Sequence, residues 1–410
     1  MHYNQLMIKH DSNVRSEIFD LVIIGGSFSG LSCALKSSEA GLKVAVLDRK
    51  LELDCPIRTS GGSWIKDLRN LGIPDYLWNP IYRIRVFSPN KSVYFDYTEP
   101  EACVLNVKSL INFLATKALA NETTLILGAT ATRVDFDETN YVHVAYTRFG
   151  KESIVHSKLV VDASGHNSFF SKSSGINKVF ERLGFGAEYE GECLGFPQQE
   201  SWLLLGSEFS PRGYAYIFPI GENKVRIGVD LIDPKNGMRE VNQFLDKFMS
   251  EDKRVALYTE KFKPLSYHFG IVPSDKMLDK TIYDRLLVVG DAAGQVNYIT
   301  GEGIRFAIEL GYLAGEVASK AIKSNTVTEE FLVNNYDLIW RQKYASYFKL
   351  GAIINRTLSE LSDKTIDNGV GTYLNRLSAQ DFTKLLKLEI SPKDTRAILI
   401  LKLLNLMHHK

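Results

Sequence analysis

Cysteine is scarce in this chain: there are four in 410 residues, Cys33, Cys55, Cys103 and Cys193. They lie far apart and form no CxxC pair, which disfavours a disulfide scaffold, a cysteine zinc site and a redox-active dithiol. Excess charge of one sign is missing too, with 49 Lys and Arg against 48 Asp and Glu, a net +1. No global field would hold a polyanion, so no nucleic-acid partner is expected. No apolar run approaches the roughly 20 residues a spanning helix needs. The start, Met1 to Arg15, is polar and lacks the apolar core of a signal peptide. The eight histidines are scattered without metal-ligand spacing, and no GxSxG is present, so neither a metal site nor a serine nucleophile is expected. The expectation is a cytoplasmic chain, at most peripherally attached to a membrane.

What is present is globular. Hydrophobic residues make up 45% and charged residues 24%, which excludes a disordered chain, a collagen and a coiled coil. The length exceeds one ordinary core and predicts two or three domains.

Phe19 to Gly26 (FDLVIIGG) reads as a buried parallel strand ending in glycines. Leu31, Ala34 and Leu35 recur at helical spacing, Gly41 ends that helix, and Lys43 to Asp48 reads as the next strand. This is a βαβ unit with a right-handed crossover. A helix is predicted over Val107 to Ala120, a small antiparallel meander over Thr123 to His156, and a buried strand at Lys158 to Gly165. From about Glu181 to Ile271 the texture changes to aromatic-rich, mostly antiparallel strands, with a helix near Glu240 to Met249. The buried-strand texture returns at Arg285 to Gly294. A long helix follows from near Gly303, and the chain is helical beyond Thr328.

Three motifs converge on one dinucleotide. At Gly25-Gly26-Ser27-Phe28-Ser29-Gly30, Gly25 suits the tight turn, Gly30 suits close helix packing, and the helix N-terminus faces a pyrophosphate. Ser27 replaces the usual middle glycine. Asp48, at the end of the second strand, is placed to bond ribose hydroxyls. Ordinary turn glycines would also fit this motif, and it does not separate FAD from NAD. The second motif, Val161-Asp162-Ala163-Ser164-Gly165, is by itself an ordinary strand exit. The third is Gly290-Asp291-Ala292-Ala293-Gly294, completed by Gly301-Glu302-Gly303. Its aspartate can bond a ribityl hydroxyl, and amides at the following helix start can face the flavin edge where charge gathers on reduction. Together and in this order, the three favour FAD. Gly184-Phe185-Gly186 lacks a third glycine and a preceding buried strand, so a separate nicotinamide domain is not expected.

This order of motifs resembles the flavoproteins with the aromatic hydroxylase fold, and within them most resembles the geranylgeranyl reductase family. The most particular element is Tyr214-Ala215-Tyr216-Ile217-Phe218-Pro219-Ile220-Gly221, similar to the family's YxWxFPxG with Tyr216 where tryptophan is usual. VRIGVD and the helical tail, notably YDLIWRQKY, extend the similarity over nearly the whole chain. There are departures. Aligned on Pro-x-Arg, the family's cysteine beside the flavin falls on Thr59, while Cys55 lies four residues earlier. Lys108 adjoins the place of an expected arginine, and Tyr298 stands where a proline is usual after GDAAG.

The resemblance implies a fold of α/β plus α+β class: a doubly wound, Rossmann-like FAD-binding domain with an inserted, mostly antiparallel substrate domain and a helical C-terminal region. The expected boundaries are 1–83, 105–177 and 272–327 for the first, 84–104 and 178–271 for the second, and 328–410 for the third. It adds Arg49, Thr59, Ser60, Gly62, Ala131 and Ile304 to the cofactor contacts Gly25, Ser27, Ser29, Gly30, Asp48, Asp162, Asp291, Gly301 and Gly303. The implied activity is saturation of C=C bonds in prenyl chains by hydride from reduced FAD plus a proton. Electrons would come from NAD(P)H or a ferredoxin-like carrier. The substrate would be a prenyl-chain lipid or isoprenoid, lying over Tyr214, Tyr216, Phe218 and Pro219. Proton-donor candidates are Tyr214, Tyr216 and Cys55, although Tyr214 to Phe218 also reads as a plain core strand and Cys55 as a plain small residue. A flavin monooxygenase or halogenase of the same fold is the alternative, and a redox-silent flavin-containing lipid-binding protein is a third reading. The Ile- and Leu-rich stretch Thr395 to Met407 suits either interfacial membrane contact or packing as a helix on the protein.

Overall fold

The computed structural model of the chain describes residues 17–136, 141–173 and 179–389. Its first sheet is built on parallel strands. Ile18–Ile24 lies between Lys151–Asp162 and Val44–Asp48, with Leu286–Val288 and Thr124–Leu127 outside them. These runs are rich in Val, Ile and Leu because both faces are covered. Leu21 and Ile23 face the helices Phe28–Glu39, Val107–Ala120 and Ile304–Lys323. Val22 and Ile24 face the antiparallel strands Ala129–Phe136 and Val142–Arg148.

Helix Val107–Ala120 forms over the predicted residues. Asn106 starts it, its side chain accepting from the Ser109 N–H. The meander begins later than expected. Thr124–Leu127 pairs parallel to Val44–Asp48 as the sheet's edge, and Gly128, at φ +70°, then turns the chain into the antiparallel part. The alternation that follows had absorbed this short strand into one pattern. Gly311 and Gly315 bring helix Ile304–Lys323 against Phe28–Glu39: a Cβ at either would come within 2.5 Å of the Ser29 or Cys33 carbonyl oxygen. That contact sets Gly301–Ile304 beside the first glycine turn.

The second sheet has seven strands, in the order Lys263–Pro273, Leu183–Glu192, Lys224–Ile232, Tyr214–Gly221, Glu200–Leu204, Arg83–Phe87 and Ser92–Asp96. Every pair is antiparallel except Glu200–Leu204 with Arg83–Phe87. Side-chain alternation divides its faces. Ala215 and Ile217 enter a core with Val225, Val229 and helix Met238–Glu251. Tyr214, Tyr216 and Phe218 share the opposite face, toward Val370 and Phe382 of the C-terminal helical region. A third, small sheet joins Gly62–Trp64, Ala102–Leu105 and Trp78–Ile81. Of the segment 84–104, therefore, two strands belong to the large sheet and Ala102–Leu105 to the small one.

The C-terminal helices Leu338–Ser359 and Ala379–Lys387 close over this assembly. Asn297 donates to the Leu386 carbonyl at 2.8 Å, and Lys387 Nζ lies 3.0 Å from Asp67. The stretch Thr395 to Met407 lies outside the described residues. Among the described residues no helix is long and apolar enough to cross a membrane.

Candidate functional site

The first glycine turn, the loop after Pro56, the segment from Asp291 to Ile304 and the tyrosine face of the second sheet enclose one cavity of about 680 Å³. That volume suits a cofactor or small-molecule site.

Its first end is built for a diphosphate. Gly25 takes φ +108°, and a Cβ there would lie 2.2 Å from the Ala163 carbonyl oxygen. A Cβ at Gly30 would lie 1.8 Å from the Gly25 oxygen. Only glycine lets the chain fold this tightly. Ser27 precedes helix Phe28–Glu39 without a side-chain capping bond, so the helix's first amides are free to face an anion. Asp48 accepts from the Gly26 N–H at 2.6 Å and the Lys50 N–H at 2.7 Å, which fixes its carboxylate at the cavity wall. Lys50, Arg58 and His166 line the cavity nearby. Burial and the cations Lys172, Arg58 and Arg49 push His166 down to about 4, so it adds no charge there at neutral pH.

Asp291, on the turn Gly290–Ala293, borders the cavity. Its carboxyl accepts no hydrogen bond from the described residues, and burial pushes it up to about 6. Thr59, Ser60, Gly62, Gly301, Gly303 and Ile304 complete this stretch of wall. A cradle that a Cβ would fill, an open helix N-terminus and an unpartnered carboxyl farther along fit the pyrophosphate and polyhydroxyl chain of FAD. Asp291→Ala is expected to weaken FAD binding tenfold or more, about the worth of hydrogen bonds to a carboxylate. Flavin retained after gel filtration measures it, and unchanged retention would show that Asp291 makes no such bond.

Other residues expected at the cofactor do not line the cavity. Gly30 shapes the turn from behind, and Arg49 is exposed. Ala131 sits in the meander opposite Tyr146. Asp162 is fully buried, and its oxygens accept from the Ser164 and Phe170 amides at 3.0 and 2.8 Å. It shapes the loop Ala163 to His166, which lines the cavity. Pro219 pairs with Val225 beyond the lining. Cys55 is exposed and outside the cavity, whereas the buried Cys103, which sequence reasoning passed over, lines it.

The tyrosine face holds a charged network. Tyr214 donates to the Thr300 carbonyl at 2.7 Å, tying the sheet to the Gly301 loop. Tyr216 donates to Glu188 Oε2 at 2.8 Å, and burial with that negative charge pushes its phenol well up. Glu188 Oε1 pairs with His268 Nδ1 at 2.9 Å, and His268 Nε2 with Ser266 Oγ at 2.9 Å. Arg226, 1% exposed, meets Glu190 at 2.9 Å and donates to the carbonyls of Ser60 at 2.7 Å and Leu105 at 3.1 Å. It docks the sheet on the loop beside the cofactor end. Asp230 borders the cavity next to Tyr214, pushed up to about 7 by burial and by Glu188. None of Glu188, Arg226, Asp230 and His268 was singled out from the sequence. The available signal was the VRIGVD strand, which carries Arg226 and Asp230.

Past the tyrosines the walls are apolar, formed by Ile81, Ile84, Val86 and Leu203 on one side and Val370 and Phe382 on the other. The rings of Tyr216 and Phe218 stack at 4.6 Å. The arrangement joins a dinucleotide cradle, a set of buried acids and a greasy channel.

Comparisons with known proteins agree with this division. Residues 20–75 match an FAD binding domain, and residues 192–272 match the geranylgeranyl reductase catalytic domain. The chain is 28% identical over 378 residues to digeranylgeranylglycerophospholipid reductase 2 of Methanothermobacter thermautotrophicus, covering 91% of this chain and 95% of that one. A geranylgeranyl bacteriochlorophyll reductase-like protein from Thermoplasma acidophilum shares the fold, with a TM-score of 0.83 at 22% identity over 95% of this chain and 99% of that one. The myxobacterial chondrochloren halogenase shares it less closely, with a TM-score of 0.65 at 16% identity over 82% of each chain. With an FAD-binding domain at its front and a geranylgeranyl reductase catalytic domain across its antiparallel sheet, the chain is an FAD-dependent oxidoreductase that resembles the geranylgeranyl reductases.

Proposed function

We propose that the chain saturates C=C bonds in prenyl chains of geranylgeranyl type, carried by a lipid or isoprenoid. The observation that carries this reading is the continuity of one cavity from the flavin cradle, across buried acids, into an apolar channel. The near full-length likeness to a digeranylgeranylglycerophospholipid reductase supports it.

An isolated alkene is not electrophilic, so its reduction needs a dry slot, a hydride and a proton. Bound FAD, once reduced by NAD(P)H or a ferredoxin-like carrier, supplies the hydride. The turn from Gly25 to Ser29 holds the diphosphate, Asp48 the ribose and Asp291 the ribityl chain. Ile84, Leu203, Val370 and Phe382 enclose the prenyl chain and keep water away. The faces of Tyr216 and Phe218 stabilise positive charge growing at the tertiary carbon. The network on the second sheet supplies the proton.

Tyr216→Ala removes a wall of the slot and the donor to Glu188, and is expected to lower kcat/KM for a prenyl lipid about 30-fold or more, in line with losing a buried aromatic contact. Steady-state rates measure this; an unchanged kcat/KM would make that face simple core packing. The reading itself is tested by following flavin colour anaerobically. After dithionite reduction, yellow colour should return on adding geranylgeranyl lipid and not on adding its saturated counterpart. Return only on admitting oxygen, with an oxygenated or halogenated product, would favour the monooxygenase or halogenase reading. A flavin that never reduces would mark a redox-silent lipid binder.

A further inference from the structure

We propose that Asp230, set in the cavity face between Tyr214 and Gly186, is the group that delivers the proton to the alkene. The proposal rests on the prenyl-reduction reading above and names the acid that this reading requires.

Strand register assembles the site. Across the sheet, Asp230 lies opposite Tyr214 on one side and Gly186 on the other, and Gly228 lies between Tyr216 and Glu188. Gly186 and Glu188 in turn face Gly270 and His268. Residues directly opposite across a ladder share a face, so three glycines share this face with the acids. Gly186 and Gly228 clear the space the acids occupy, while Gly270 admits the Arg58 carbonyl, 2.1 Å from where its Cβ would lie. A Cβ at Gly186 would lie 2.1 Å from Asp230 Oδ1, and one at Gly228 would lie 2.4 Å from the Tyr216 ring and 2.8 Å from Glu188 Cβ. A glycine inside a strand weakens it and marks a close approach. Here Gly186 and Gly228 make room for polar side chains beside the cofactor end.

Proton accounting then singles out one group. The Tyr214 hydroxyl donates to the Thr300 carbonyl and the Tyr216 hydroxyl to Glu188. Both ring nitrogens of His268 are paired. Arg226 does not release protons and is bonded to Glu190 and two carbonyls. Arg212, at the cavity edge, donates to the Asp233 carbonyl. The Cys103 thiol is pushed well up by burial, a poor acid near neutrality. Two carboxyls border the cavity without accepting a hydrogen bond from the described residues, Asp291 and Asp230; Asp291 is taken by the ribityl chain on the reading above, which leaves Asp230, on the tyrosine face, as the acid. Burial and the Glu188 charge raise it to about 7, where a general acid works best at neutral pH.

The step balances as follows. The alkene's π pair forms a C–H bond with the Asp230 proton as the O–H bond breaks. The resulting tertiary cation accepts the hydride, so the substrate gains two hydrogens and the reduced flavin, the reductant, gives up two electrons. Asp230 is left as a carboxylate and regains its proton from solvent.

The test uses FAD-loaded protein and Asp230→Asn, which keeps shape and removes the acid. Three readouts are needed: FAD and prenyl-lipid affinity, the single-turnover rate of hydrogenated product after dithionite reduction, and the infrared carbonyl band of protonated carboxylic acids against pH. The variant should bind FAD and lipid within about twofold of wild type and form product about 100-fold more slowly or worse. Wild type should show a carboxylic acid titrating with a midpoint near 7, absent in the variant, and its rate should fall above that pH. Stability gives an independent sign. The folded state holds this proton between pH 3.8 and about 7 while the unfolded state has released it, so wild-type stability declines as pH rises through that window. Asp230→Asn should flatten the decline. Product formation within threefold of wild type, or wild-type protein with no such titrating band, overturns the proposal. If wild type reduces no prenyl chain, the reading of the reaction fails instead, and the infrared and stability arms still decide whether Asp230 is an acid poised near neutrality.

Discussion

Arg226→Met is expected to destabilise the protein by about 3–5 kcal/mol, the usual cost of removing one partner from a buried ion pair. The guanidinium is 1% exposed and lies 2.9 Å from Glu190 and 3.6 Å from Glu188. Removing it leaves the two carboxylates facing each other's charge without the guanidinium between them, Glu188 keeping only the Tyr216 hydroxyl and the His268 ring. It also frees the Ser60 and Leu105 carbonyls, each held by Nη1. A carbonyl left unsatisfied in the interior adds its own desolvation penalty. Ser60 lines the cavity, so FAD affinity should fall together with stability. Urea denaturation with and without FAD measures both. A loss under 1 kcal/mol would mean that Glu188 and Glu190 do not depend on Arg226.

Gly30→Ala is expected to have the second large effect, on the cofactor. The added methyl would sit 1.8 Å from the Gly25 carbonyl oxygen and 3.3 Å from Ile23 Cγ2. The first of these is backbone and has no flexible end to swing away. The turn must open or the helix Phe28–Glu39 must move off the strand, and either displaces the amides that face the diphosphate. The protein should purify without yellow colour and bind FAD about 100-fold more weakly or worse, the loss of two or more charge-assisted hydrogen bonds. Titration calorimetry with FAD would show it. Affinity within threefold of wild type would mean that the turn tolerates a Cβ and that its glycines have another cause.

The elements legible in the sequence were those whose signals are local. Buried parallel strands such as Ile18–Ile24 announce themselves as apolar runs, helix Val107–Ala120 by its period, and the glycine turn by its place between strand and helix. Period-2 alternation put Tyr214, Tyr216 and Phe218 on one face, where they are found. What escaped was set by register between distant strands. Glu188, Asp230 and His268 meet because Leu183–Glu192 lies between Lys224–Ile232 and Lys263–Pro273, and no local pattern carries that. In sequence Gly184-Phe185-Gly186 resembles a fragment of a dinucleotide motif; in the sheet, Gly186 clears room for the Asp230 carboxyl. Cys55 drew attention by residue type, yet it is exposed, while Cys103 reaches the cavity through pairing with Ser63 in the small sheet. Asp162 stands at a strand end, the place that suggests a cofactor contact. Its oxygens hold the following loop, a role visible only once Phe170 folds back to it.

On the proposed reading, one cavity joins a flavin cradle to a prenyl-chain channel and serves hydrogenation. Mass spectrometry of a geranylgeranyl lipid incubated anaerobically with FAD-loaded protein and dithionite tests it most directly. Product masses should rise in steps of two hydrogens, with none gained when Gly30→Ala protein is used. A lipid recovered unchanged from fully reduced, FAD-loaded protein, or one that has gained oxygen when air is admitted, would contradict it.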